Sequence, residues 1–186
     1  MLVALLAILA TLTATACSPA PAPPSAPATE SWLPPRPREL PIDGLDPCTA
    51  LTEQQRVTLE LGRTRAFASP SPDRGPACTW IFTAVTDFWS VSLETSPHRG
   101  ATSAIGSTRA TRTLTIAGFP AVETSNPLAD EDKQCFVIID VAAAQALVVD
   151  FTSNGDTVAM NHALACSKAN LAAEQIMQTL LQQTPG

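Results

Sequence analysis

Five cysteines, at positions 17, 48, 78, 135 and 166, constrain this 186-residue chain more than any other feature. An odd number divides into pairs plus one residue with another use. Cys17 stands alone, directly behind an apolar run, whereas the other four lie in the periodic part of the chain. Their spacing has no C-x-x-C or Cys/His pattern of the kind a redox or zinc site needs. Disulfides formed in an oxidising compartment explain the four better, and four cysteines allow three pairings.

The run from Leu2 to Leu12 is too short to cross a hydrocarbon core of about 30 Å as a helix, and it reads as the apolar region of an export signal over residues 1–16. Ala14-Thr15-Ala16-Cys17 resembles the bacterial lipoprotein signal. That resemblance implies cleavage before Cys17 and a diacylglycerol on its sulfur, with the new amino group often acylated as well. Two or three acyl chains anchor durably where one does not. The expected location is therefore the outer face of the cytoplasmic membrane. Ala14-Thr15-Ala16 is also an ordinary A-x-A cleavage site, so the alternative is a secreted product.

Ser18 to Pro47 holds ten of the 17 prolines. Proline fixes φ and lacks an N–H, so residues 17–45 are expected to be a lipidated cysteine and a tether, with Trp32 available to fold back or to sit at the interface. Residues 46–183 are expected to form one domain. Net charge is −6, with nine Arg and only two Lys. That balance argues against nucleic acid as a partner, because phosphate binding needs clustered cations.

Within the domain, Asp46-Pro47-Cys48 and the capping box Thr52-Glu53-Gln54-Gln55 predict a helix to about Leu61, with Val57 and Leu61 on one face and Gly62 as its stop. Cys78–Thr83 and Phe88–Thr95 alternate as a hairpin around Thr86-Asp87, with Trp80 and Trp89 facing the core and Phe88 outward. The stretch from Ser96 to Arg112 reads as a loop or weak helix. Arg112–Thr124 reads as one strand, bent or bulged at Gly118-Phe119-Pro120. Cys135–Val141 and Leu147–Thr152 form a second hairpin, and Asn161–Gln183 a long amphipathic helix. The fold class is α+β, an antiparallel sheet packed with an N-terminal helix and a long C-terminal helix. If the last helix covers the face of Cys135, Val137 and Ile139, then Cys135 meets Cys166 and, by elimination, Cys48 meets Cys78. This is a choice among the three pairings.

Asp46-Pro47-Cys48 with Leu51-Thr52, Cys78-Thr79-Trp80, Gly118-Phe119-Pro120-Ala121, Cys135 opening a strand and Cys166 on an Ala-rich helix together resemble the domain-of-unknown-function 3558 family. Its members are predominantly actinobacterial lipoproteins. The resemblance implies an exported, lipid-anchored domain and carries over no catalytic residue.

Candidate chemistry is sparse. His98 lies in a loop and His162 begins the last helix, and no G-x-S-x-G is present. Asp130-Glu131-Asp132 lacks the spacing of a calcium loop and reads as a solvated turn. Asp140 and Asp150 could serve as paired carboxylates, although strand alternation more simply sets both on a solvent face. The expectation is a non-catalytic module with no cofactor and no metal. It is held to the membrane by its lipid, with an envelope protein or an apolar ligand as partner. The alternative is an envelope hydrolase using a carboxylate site such as Asp140 and Asp150.

Overall fold

The computed structural model describes residues 33–67, 74–83, 88–102, 109–125, 130–155 and 159–184. All of them belong to one unit, Ser31–Gly186. The export signal, Cys17, Trp32 and the turn at Thr86-Asp87 lie outside the described residues.

The Asp46 carboxylate accepts from the backbone N–H of Cys48 at 2.9 Å and opens a 3-10 turn, Pro47–Thr49. Thr52 and Gln55 then form the reciprocal capping box that their spacing predicts, and α1 runs over Glu53–Thr58. This helix is shorter than expected. Glu60 turns left-handed at φ 58°, the N–H of Glu60 bonds to Val57 O, and that of Leu61 bonds to Arg56 O. Those two bonds are the Schellman termination, built on Glu60 instead of Gly62. Val57 is consequently 71% exposed, while Leu61 is buried.

Seven strands follow: β1 (Arg63–Phe67), β2 (Ala77–Thr83), β3 (Phe88–Ser96), β4 (Arg109–Ile116), β5 (Phe119–Ser125), β6 (Gln134–Ala142) and β7 (Gln145–Ser153). They form one sheet in the order β1-β2-β3-β7-β6-β5-β4, with every neighbouring pair antiparallel. Strand β1 was not expected from the sequence. The single bent strand expected over Arg112–Thr124 is instead two strands, joined by a two-residue turn in which Ala117 and Gly118 both have positive φ, 49° and 85°. That conformation matches the twist of a tight hairpin. Pro120 is tolerated because β5 pairs with β6 only from Ala121 onward, so its missing N–H breaks no bond to β6.

The 22-residue helix α2, His162–Gln183, packs on β6 and β7. Its small buried residues Ala165, Ala169, Ala172 and Ala173 let it lie close to the sheet, while Ile176, Met177 and Leu180 fill the space beyond. Alternation puts Cys135, Val137, Ile139, Leu147, Val149 and Phe151 beneath the helix. This brings Cys135 to Cys166, with Cα atoms 5.0 Å apart, and Cys48 in the 3-10 turn reaches Cys78 on β2 at 5.1 Å. Each bridge closes a loop of about 30 residues, worth roughly 3 to 4 kcal/mol in the chain-entropy model.

The segment from Leu33 to Leu45, assigned to the tether by its prolines, packs on the sheet. Leu33 joins Val122, Ile138 and Ala146 on the face away from α2, whereas Leu40 and Ile42 enter the main core beneath the helix. Leu40 N–H bonds to Val141 O at 2.8 Å.

Candidate functional site

The two strand carboxylates share the sheet face away from α2, as alternation requires, but neither is exposed to solvent there as the sequence suggested, and they do not converge. Asp150 stands opposite Phe136 and Asp140 opposite Ala146, four residues apart along β6. Asp140 is buried and its Oδ2 accepts from Arg36 Nη1 at 2.6 Å, so this carboxylate serves as the anchor of the Leu33–Leu45 segment. Asp150 accepts from Gln134 Nε2 and Thr152 Oγ1, each at 3.2 Å. Burial, with nearby Glu94 adding to it, pushes the Asp150 carboxyl up to about 6.

His98 is exposed. His162 is the first residue of α2; its Nδ1 lies 2.9 Å from Glu131 O and its Nε2 3.5 Å from Cys166 Sγ. The acidic turn before β6 has local work. Asp130 accepts from the N–H of Asp132, and Asp132 accepts from the N–H of His162, tying the turn to the start of α2. Among the described residues no group of three or more His, Cys, Asp or Glu is placed to hold a metal ion.

Trp80 is fully buried in the main core. Trp89 shares that face but is half-buried, stacked on Phe82 with centroids 3.6 Å apart and capped by Lys168 Nζ at 5.1 Å. With Leu59, Val91, Phe151 and Leu171 it lines a niche of about 70 Å³. Ligand pockets run from about 300 Å³ upward, so the niche has room for little more than one small side chain.

A larger groove, about 650 Å³, lies between the first half of α2 and strands β4 and β5. Arg112, Glu123, His162, Cys166, Ser167 and Asn170 line it. Glu123 alternates with Phe119 and Ala121 on β5 and so points under the helix, where it is 5% exposed. Arg112, opposite it on β4, grips the carboxylate at two points, Nε at 3.0 Å and Nη2 at 2.5 Å. Asn170 Nδ2 donates to the same Oε1 at 2.6 Å. The two-point grip raises the Arg112 guanidinium above its ordinary value. A buried charge is thereby neutralised and oriented, leaving a fixed polar floor beside the Cys135–Cys166 bridge.

Sequence reasoning missed Glu123, Arg112 and Asn170. The available signal was a carboxylate two residues after Ala121 in an apolar alternation, obscured by reading Gly118-Phe119-Pro120 as a bulge. Of the residues singled out from the sequence, only His162 and Cys166 reach this groove. Cys17 lies outside the described residues.

A family model described as "Protein of unknown function (DUF3558)" matches residues 12–179. No curated protein and no solved structure matches the chain. Among the described residues, no helix is long and apolar enough to cross a membrane.

Proposed function

The chain belongs to the DUF3558 family, and we propose that it is an exported lipoprotein, anchored through Cys17 to the outer face of the cytoplasmic membrane, whose domain binds a ligand without transforming it. The apolar leader ahead of Cys17 and the two disulfides support export. One observation carries the binding reading: the 650 Å³ groove is floored by the Arg112–Glu123–Asn170 network, in which each charge is already matched. A matched, rigid floor suits recognition of polar groups. Catalysis would call for a base or nucleophile left poised, and both expected carboxylates are engaged elsewhere, Asp140 with Arg36 and Asp150 with Gln134 and Thr152.

Labelling cells with a fatty-acid analogue tests the anchor. Lipid on Cys17 is expected, and unlabelled protein in the medium would overturn it. Crosslinking in cells followed by mass spectrometry tests the groove, with Ser167→Trp, an exposed position on its wall, as the blocked control. A crosslinked species lost on that substitution is expected; recovery of nothing reproducible defeats the reading.

A further inference from the structure

We propose that the free edge of β1 is a second binding surface, which takes an extended, acidic segment of a partner protein as an eighth strand. It goes beyond the groove and does not depend on it.

Among the described residues, strand β1 ends the sheet and pairs with β2 alone, and all five of its residues are exposed. Every second N–H and C=O along such an edge points away from the sheet, the arrangement used when an extended peptide adds a strand. The opposite edge, β4, differs. It packs against α2, and its Arg112 is committed to Glu123.

The side chains on β1 specify the partner. Arg63, Arg65 and Phe67 project to one face, in register with Ile81, Thr79 and Ala77, and Arg65 lies 4.8 Å from the centroid of Phe67. Neither Arg63 nor Arg65 forms an ion pair among the described residues, and Arg56 reaches Thr64 Oγ1 from α1 at 3.2 Å. Residues 56–67 contain three Arg against one Glu, a net of +2 in a chain whose total is −6. The rest of the chain therefore carries −8. This is a basic strip on an acidic protein, and it complements carboxylates spaced two residues apart on an incoming strand. A second copy is disfavoured, because antiparallel pairing centred on Thr64 or Arg65 sets Arg against Arg.

The test uses the full-length mature protein and three synthetic octapeptides alternating a charged residue with Val: one with Glu, one with Lys, and the Glu peptide N-methylated at alternate backbone positions. The Glu peptide is expected to bind and to slow amide exchange over Arg63–Phe67 by about tenfold or more. The Lys and N-methylated peptides should bind at least about tenfold more weakly. The exposed double substitution Arg63→Glu with Arg65→Glu should shift preference to the Lys peptide. Failure of the Glu peptide to bind, equal binding by the N-methylated peptide, or unchanged exchange in β1 would overturn the proposal. So would Arg-dependent binding to vesicles of anionic phospholipid in place of peptide.

Discussion

Asp150 holds its proton more tightly in the folded protein than in the unfolded chain, and the cause is local. Its carboxyl is enclosed between Phe136 and Ser92 on neighbouring strands, and its hydrogen-bond donors among the described residues, Gln134 and Thr152, are neutral. With a folded value near 6 against 3.8, stability from this group is fully present below about pH 3.8 and is lost as pH rises through about 6. The shift corresponds to at most roughly 3 kcal/mol. Burial acts on Glu94 in the same direction, while Arg36 and Ala143 N–H hold Glu39 below its usual range, so the Asp150 contribution must be read as a difference. Asp150→Asn should stabilise the protein at pH 7.5 and flatten its stability between pH 4 and 6, as followed by denaturant unfolding at each pH. Equal pH slopes for both proteins would refute the assignment. At this scale the sequence was legible where a residue acts through alternation: Trp80 in the core, and both aspartates on one face. It was silent on Arg36 and Glu123, whose partners lie 104 and 11 residues away in the chain.

The elements were readable to the extent that they bury one face. Helix α2 and the hairpin of β6 and β7 each carry an apolar set at a clear period, and their placement determined which cysteines could meet. Strand β1 buries neither face, so Arg-Thr-Arg-Ala-Phe offered no apolar alternation. The turn at Ala117-Gly118 was hidden because alanine is an unusual residue at a position needing positive φ. Helix α1 misled for a similar reason, since its left-handed cap is a glutamate with a glycine two residues further on. A non-glycine residue in that conformation costs about 1 kcal/mol. Glu60→Gly is therefore expected to raise stability by about 0.5 to 1 kcal/mol, measured as a shift in denaturation midpoint without a change in slope. A loss of stability would show that the Glu60 side chain contributes more than its backbone conformation costs.

Over the whole molecule, the segment Leu33–Leu45 links the two faces of the sheet. Leu33 covers Val122, Ile138 and Ala146 on one side, Arg36 pairs with Asp140, and Glu39 accepts from Ala143 N–H at the hairpin end. Leu40 and Ile42 then join the core under α2. Proline content concealed this, because residues suited to a spacer surround a handful of apolar side chains and two arginines, Arg36 and Arg38, that dock. Of residues 17–45, which the sequence suggested as a tether, the part from Leu33 onward therefore belongs to the domain. The docking has an energetic test. Leu40 is 1% exposed, and truncating a buried leucine costs about 2 to 5 kcal/mol through lost transfer energy and the cavity left behind. Leu40→Ala should therefore destabilise the entire domain in a single cooperative transition, and protease should spare the native protein between Leu33 and Leu45. If Leu40→Ala leaves the unfolding midpoint unchanged, or protease readily cuts the native protein between Arg36 and Leu40, the segment is a spacer after all and the domain begins near Asp46.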